Sequence, residues 1–329
     1  MELSHLGRVL TTAVILLLAG CGGQVAPTGM TGTGLASSAT HGKSWMLPGT
    51  SGAALIYLSG QDVSEYRVVY VLSYTTGKLV GQLKGFGAPW GLCVDKSGDV
   101  WVVDYTESEV NEYAHGGTTQ IASLPVPGIG PIGCAVDPTT GNLAVTSNSG
   151  TYKGDIVSVY QNAQGTPVTY TVQARLLFCS YDNASNLLIS VNQEQGTPRL
   201  YELLRGSSTL TEVSFDKNVL FHQSPTIQWD GTAFAYGGTR VGHKGPHTIY
   251  QLTISGNEAK RSGTTHLSNS GAGGGGSQFW VQGNAVVQAA GTHVGVWHYP
   301  GGRKPIKLFT IPVGYKSGPG IAISEPPSR

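Results

Sequence analysis

One pattern of apolar strand, tight turn and apolar strand recurs along this chain at nearly constant spacing. Gly91-Leu-Cys-Val-Asp95-Lys-Ser-Gly-Asp-Val-Trp-Val-Val-Asp104 aligns with Gly133-Cys-Ala-Val-Asp137-Pro-Thr-Thr-Gly-Asn-Leu-Ala-Val145. Cys179-Ser-Tyr-Asp182-Asn-Ala-Ser-Asn-Leu-Leu-Ile-Ser-Val191 repeats it, and Ile227 to Tyr236 and Phe279 to Val287 are weaker copies. An Asp side chain can accept from the backbone two residues on, and Gly or Asn takes the left-handed position that closes such a turn. The turn positions 95, 137, 182, 230, 282 and 324 are 42, 45, 48, 52 and 42 residues apart.

That period fits one four-stranded blade of a β-propeller. Third strands follow at matching offsets, as in Val110 to Tyr113, Asp155 to Tyr160 and Arg199 to Leu204. At the ends, Gly318 to Ser324 reads as a first strand with no second, and Ala53 to Leu58 as a second strand with no first. Joining them predicts an all-β, six-bladed β-propeller of four-stranded blades, closed circularly by the C-terminal strand on the N-terminal blade. The composition agrees: 48 Gly suit many tight turns, and 12% charged residues are too few for a disordered chain or a coiled coil. A net charge of +1 offers no field for nucleic acid, so none is expected as a partner.

The repeats, together with Glu112-Tyr-Ala-His-Gly-Gly117, resemble NHL-type propellers and, more closely, NHL-like bacterial lipoproteins. The resemblance covers residues from about 46 to 324 and implies the fold, without implying one activity. Upstream, Arg8 precedes an apolar run from Val9 to Ala19, too short to span a bilayer and suited to a signal peptide. Leu18-Ala19-Gly20-Cys21 resembles the lipobox, which implies cleavage before Cys21 and lipidation of its thiol. Residues 1–20 are then a signal peptide, 21–44 a lipidated Cys with a flexible Gly/Ser/Thr tether, and 45–329 one propeller. The expected location is the bacterial cell envelope. Gly22 in place of Asp implies the outer membrane, with the membrane as a partner through the lipid and the protein a monomer.

A ligand mouth is expected where loops between second and third strands meet loops that enter each blade. Trp90, Tyr105, Tyr152 and Tyr315 there could stack on a flat ligand, or serve only as rim packing. Asp104, Glu107, Asn148, Asn192 and Glu194 could contribute to a divalent-cation site, because hard cations take about six oxygens. The later repeats supply no matching acid, so the ring looks incomplete. His222, His243, His247 and His293 could act as general bases, but none is paired with a Glu in a motif. His243-Lys-Gly-Pro-His247 has ligand spacing on a helix only, which Gly245 and Pro246 forbid, so a solvated loop is expected. The reading is therefore a non-catalytic module for an unidentified protein or glycan ligand, with no cofactor. A metal-dependent hydrolase or lyase, resembling gluconolactonase or streptogramin lyase, is the alternative.

Cys93, Cys134 and Cys179 lie on first strands. Cys93 and Cys134 differ in phase and could face each other, permitting a disulfide outside the cytoplasm. Packed sheets lie ~10 Å apart, however, and a disulfide needs Cα atoms within ~7 Å, so three buried free thiols are expected.

Overall fold

A computed structural model describes residues 43–62, 67–150, 154–192, 199–216, 219, 222–240, 247–268, 278–290, 292–311, 315–316 and 320–327. They lie within one compact unit, His41–Arg329. Among the described residues there is no α-helix, and no helix long and apolar enough to cross a membrane. Cys21 and the rest of the leader lie outside them.

Most strands gather into four-stranded antiparallel runs; two of these stand as separate sheets, and three are joined into one twelve-stranded sheet by the parallel pairs Ser214↔Glu258 and Leu267↔Arg303. The N-terminal strands are β1 (Trp45–Met46), β2 (Leu55–Asp62), β3 (Val68–Ser73) and β4 (Leu79–Lys84). The first full unit runs β5 (Pro89–Val94), β6 (Val100–Asp104), β7 (Glu109–Tyr113), β8 (Gln120–Pro125). The next is β9 (Pro131–Val136), β10 (Leu143–Ser147), β11 (Asp155–Tyr160), β12 (Val168–Val172). It is followed by β13 (Leu176–Tyr181), β14 (Leu187–Val191), β15 (Arg199–Leu203) and β16 (Thr211–Phe215). Then come β17 (His222–Trp229), β18 (Phe234–Arg240), β19 (His247–Ser255) and β20 (Glu258–Leu267). The last run is β21 (Phe279–Gln282), β22 (Ala285–Ala290), β23 (His293–His298), β24 (Gly302–Thr310), β25 (Tyr315–Lys316) and β26 (Ile321–Ser324). β26 pairs antiparallel with β2, from Leu55↔Ser324 to Leu58↔Ile321, so the N-terminal sheet takes its inner strand from the C-terminal end.

The predicted turns form as their chemistry requires. Asp95 Oδ1 accepts from Ser97 N at 2.8 Å and Asp99 N at 2.9 Å, and Asp182 Oδ1 accepts from Ala184 N at 2.9 Å and Asn186 N at 2.8 Å. Gly98 and Gly231 close their turns at φ 86° and 102°, where a side chain would be strained.

First strands of neighbouring units approach closely because glycine faces the contact. A Cβ on Gly91 would sit 2.3 Å from Ile132 O, one on Gly133 2.8 Å from Leu177 O, and one on Gly320 2.0 Å from Trp90 O. Hydroxyls on second strands bridge the same seams. Thr146 Oγ1 donates to Leu177 O in the next unit and also meets Gly133 N at 3.2 Å. Ser190 Oγ accepts from Phe178 N at 3.0 Å and lies 2.8 Å from Pro225 O in the following unit. Each hydroxyl sits beside a register shift, where a bulge leaves main-chain groups to be satisfied.

This close approach corrects the expectation of three free thiols. Cys93 and Cys134 form a disulfide with Cα atoms 5.7 Å apart, leaving Cys179 free and buried. The ~10 Å spacing holds where full side chains interleave, not where glycine lets backbones nearly touch. The bond closes a loop of separation 41 and staples β5 to β9. Replacing both Cys93 and Cys134 with Ser is expected to cost about 3 kcal/mol, lowering the melting temperature by several degrees. Thermal melting with and without a reductant checks this, and the double variant should no longer respond to the reductant.

Candidate functional site

Two loops carry most of the describable mouth candidates, and they share one anchor. Asp104, at the end of β6, is 0% exposed. Its carboxylate accepts from Gly87 N at 2.6 Å, Ala88 N at 2.8 Å, Thr106 N at 3.2 Å and Glu107 N at 3.3 Å. Four amide donors fill most of a carboxylate's acceptor capacity, so Asp104 fixes these two loops and has little left for a cation. Asn148 is buried too, donating to Leu176 O at 2.9 Å and accepting from Gly150 N at 2.8 Å. Asp155, 1% exposed, accepts from Ser149 N at 2.9 Å and Leu176 N at 3.0 Å, doing for its loop what Asp104 does for the neighbouring one.

The loops held by Asp104 bring Trp90 and Tyr105 together, with ring centroids 5.4 Å apart. Tyr105 is 38% exposed, and Ile129, on the loop whose Gly130 meets the Tyr105 ring, is 72% exposed. Gly130, at φ 65°, lies so close to the Tyr105 ring that a Cβ would sit 2.6 Å from Cε2. Ile129 was not singled out in the sequence, since one Ile in a Gly/Pro loop carries no periodic signal. Glu107 is exposed on the rim. Asn192 donates its backbone N–H to Arg175 O at 2.8 Å, and His293 Nδ1 lies 3.1 Å from Thr292 Oγ1. Tyr152, Glu194 and His243 lie outside the described residues, and His222 and Tyr315 are described only as backbone in β17 and β25. His247 corrects an expectation. It opens β19 at 8% exposure with its ring 6.4 Å from that of Phe279, so the strand has drawn it out of the solvated loop.

At the opposite end of the same strands, around the Asp turns, lies an acidic cluster that sequence reasoning passed over. Asp95, Asp99 and Glu112 bring carboxylate oxygens within 4.8 Å of one another, as near as ligands of one ion would be. Burial, with Asp99 and Asp95 beside it, raises Glu112 to about 7. Asp95 and Glu112 line a cleft of about 480 Å³ with Trp101, Asp137 and Thr140. A second cleft, of about 560 Å³, holds Asp182, Glu202 and Trp229. Glu202 is likewise raised, by burial and then by Asp182. The two glutamates share a register: Glu112 pairs with Trp101 and through it Cys93, and Glu202 with Leu188 and through it Ser180, each two residues before the turn Asp. The strings Val-Asn-Glu-Tyr and Leu-Tyr-Glu-Leu carried that signal.

Comparison with known proteins bears on the fold. The NHL repeat family matches residues 86–110, the stretch that forms β5, β6 and the turn between them. The match supports an NHL-like β-propeller fold. A protein of unknown function from Bacteroides caccae shares the fold, at TM-score 0.59 and 12% identity over 83% of this chain and 99% of that one. A streptogramin B lyase aligns at TM-score 0.47 and 12% identity, over 79% of this chain and 74% of that one. No curated protein matches the propeller significantly in sequence. The matched repeat holds both features of this propeller: Trp90, Asp104 and Tyr105 at one end, Asp95 and Asp99 at the other.

A carboxyl raised above the unfolded glutamate range binds its proton more tightly in the folded state. Glu112 therefore costs nothing below that range, and its cost grows as pH rises from about 4.5 to about 7 and is complete above it. Glu112→Gln is expected to raise the melting temperature at pH 8 and leave it nearly unchanged at pH 4. Melting curves across that range check the crossover.

Proposed function

We propose that this chain is an envelope-anchored, six-bladed propeller lipoprotein that acts as a non-catalytic binding module for protein or glycan ligands. The six repeat positions support six blades, and the pairing of β26 with β2 supports a circular closure of such a ring. Anchoring follows from Leu18-Ala19-Gly20-Cys21 and the tether behind it. The observation that carries the binding reading is Asp104. The mouth carboxylate best placed for chemistry is engaged by four backbone amides, while Trp90 and Tyr105 beside it, with Ile129 exposed on a neighbouring loop, offer an apolar surface. Such a surface holds a ring or an apolar side chain and activates nothing. The outer membrane is the proposed location and the monomer the proposed state.

Thermal melting of the full chain against a panel of envelope glycans and peptides tests the module. A ligand that raises the melting temperature for the unaltered chain is expected to lose at least tenfold in affinity on Tyr105→Ala, as removal of one stacking ring predicts. Stoichiometric metal in the purified chain, lost on Glu107→Ala, would instead favour a hydrolase or lyase. Fatty-acid labelling that persists on Cys21→Ser would overturn the anchor.

A further inference from the structure

Two outer strands on neighbouring sheets leave large apolar side chains in water. β1 turns Met46 inward onto Gly81 and leaves Trp45 and Leu47 37% and 48% exposed. β24 leaves Ile306 and Leu308 48% and 53% exposed on one side, while Phe309 on its other side covers Gly77 of the β3–β4 hairpin. Lys307 lies over the Tyr74 ring at 5.4 Å, so β24 and this hairpin are in direct contact. Cations lie on the same segments. Lys43, Lys78, Arg303, Lys304 and Lys307 are all exposed, and none has an ion-pair partner among the described residues. Glu325, whose charge is felt at Tyr74, is the acid that faces the hairpin, so the edge stays cationic on a chain whose net charge is only +1.

Trp at an interface and Lys stems that carry charge beyond an apolar contact are the groups that settle at lipid headgroups. Position points the same way. The expected tether of residues 22–44 leads directly into Trp45, and a flexible chain of that length spans about 25 Å. We propose that the edge formed by β1 and β24 rests on an anionic lipid bilayer. Trp45, Leu47, Ile306 and Leu308 enter the headgroup region, and Lys43, Arg303, Lys304 and Lys307 meet lipid phosphates. The proposal takes its geometry from the anchored reading above and adds a second, reversible attachment to it.

The test uses the full chain with Cys21→Ser, so that no acyl group contributes. An environment-sensitive fluorophore is placed on Leu308→Cys or, as a control, on Val168→Cys, which replaces a side chain 51% exposed on the outer strand β12. Cys179 is buried and the other two cysteines are bonded to each other, so labelling is confined to the new thiol. Vesicles are phosphatidylcholine alone, or with one part in four phosphatidylglycerol. The expected result is a blue shift and quenching by lipid-borne quencher at position 308 and not at 168, in the anionic vesicles. Lys304→Glu with Lys307→Glu should weaken that partitioning about tenfold or more. An equal response at 308 and 168, or none at either, overturns the proposal, including the case in which this edge serves a protein partner. Fatty-acid labelling of the unaltered chain is read separately, so failure of the anchor and failure of the edge are distinguishable.

Discussion

Backbone-to-backbone contact between first strands is the constraint on which this structure rests. At Gly91, Gly133 and Gly320 a carbonyl of the next first strand occupies the place a Cβ would need. Sheets meeting that closely cannot solvate the main-chain groups their bulges release. Thr146 and Ser190 supply the missing partners from second strands. Gln278 does the same across a longer interval, accepting from Leu92 N at 3.1 Å and Ile321 N at 3.2 Å while donating to Leu92 O at 2.8 Å. The Cys93–Cys134 bond is a consequence of the same proximity.

That packing also divides the charges. With few ionisable groups available, the propeller uses buried carboxylates at one end as collectors of amide protons, Asp104 and Asp155 each fixing a loop. At the other end Asp95 and Asp182 fix their hairpins, yet each stands beside a glutamate it does not neutralise. One end is therefore electrostatically settled and presents aromatic surface, and the other keeps carboxyls that hold protons tightly. Glu112 and Glu202 are raised first by burial and then by the carboxylates beside them.

Much of the fold was legible because turn chemistry is local. Asp95, Asp182, Gly98 and Gly231 behave as their neighbours in sequence dictate, and the period of the repeats needs no tertiary information. The site was less legible, since its chemistry depends on what is left unpaired. Nothing in the string around Asp104 distinguishes an available carboxylate from one engaged by the amides of residues 87 and 88. The cysteines failed for a related reason. Their phase was readable, but the separation of their strands depends on which residues face the seam, and the facing glycines belong to different repeats. His247 needed knowledge of where β19 begins, which the Gly-Pro before it obscures.

The pairing of β26 with β2 has a bearing on how the molecule comes into being. The earliest sheet to leave the ribosome is the one completed last, since Leu55 to Leu58 find their inner partners only in residues 321–324. During synthesis the chain therefore carries an open strand edge at one end and growing sheets at the other. Contacts of this separation form slowly, because the loop entropy is lost before the pairing returns any stability. The interval in which the edge is bare is set by the length of the whole chain, and it is then that the protein is most exposed to pairing with another copy of itself.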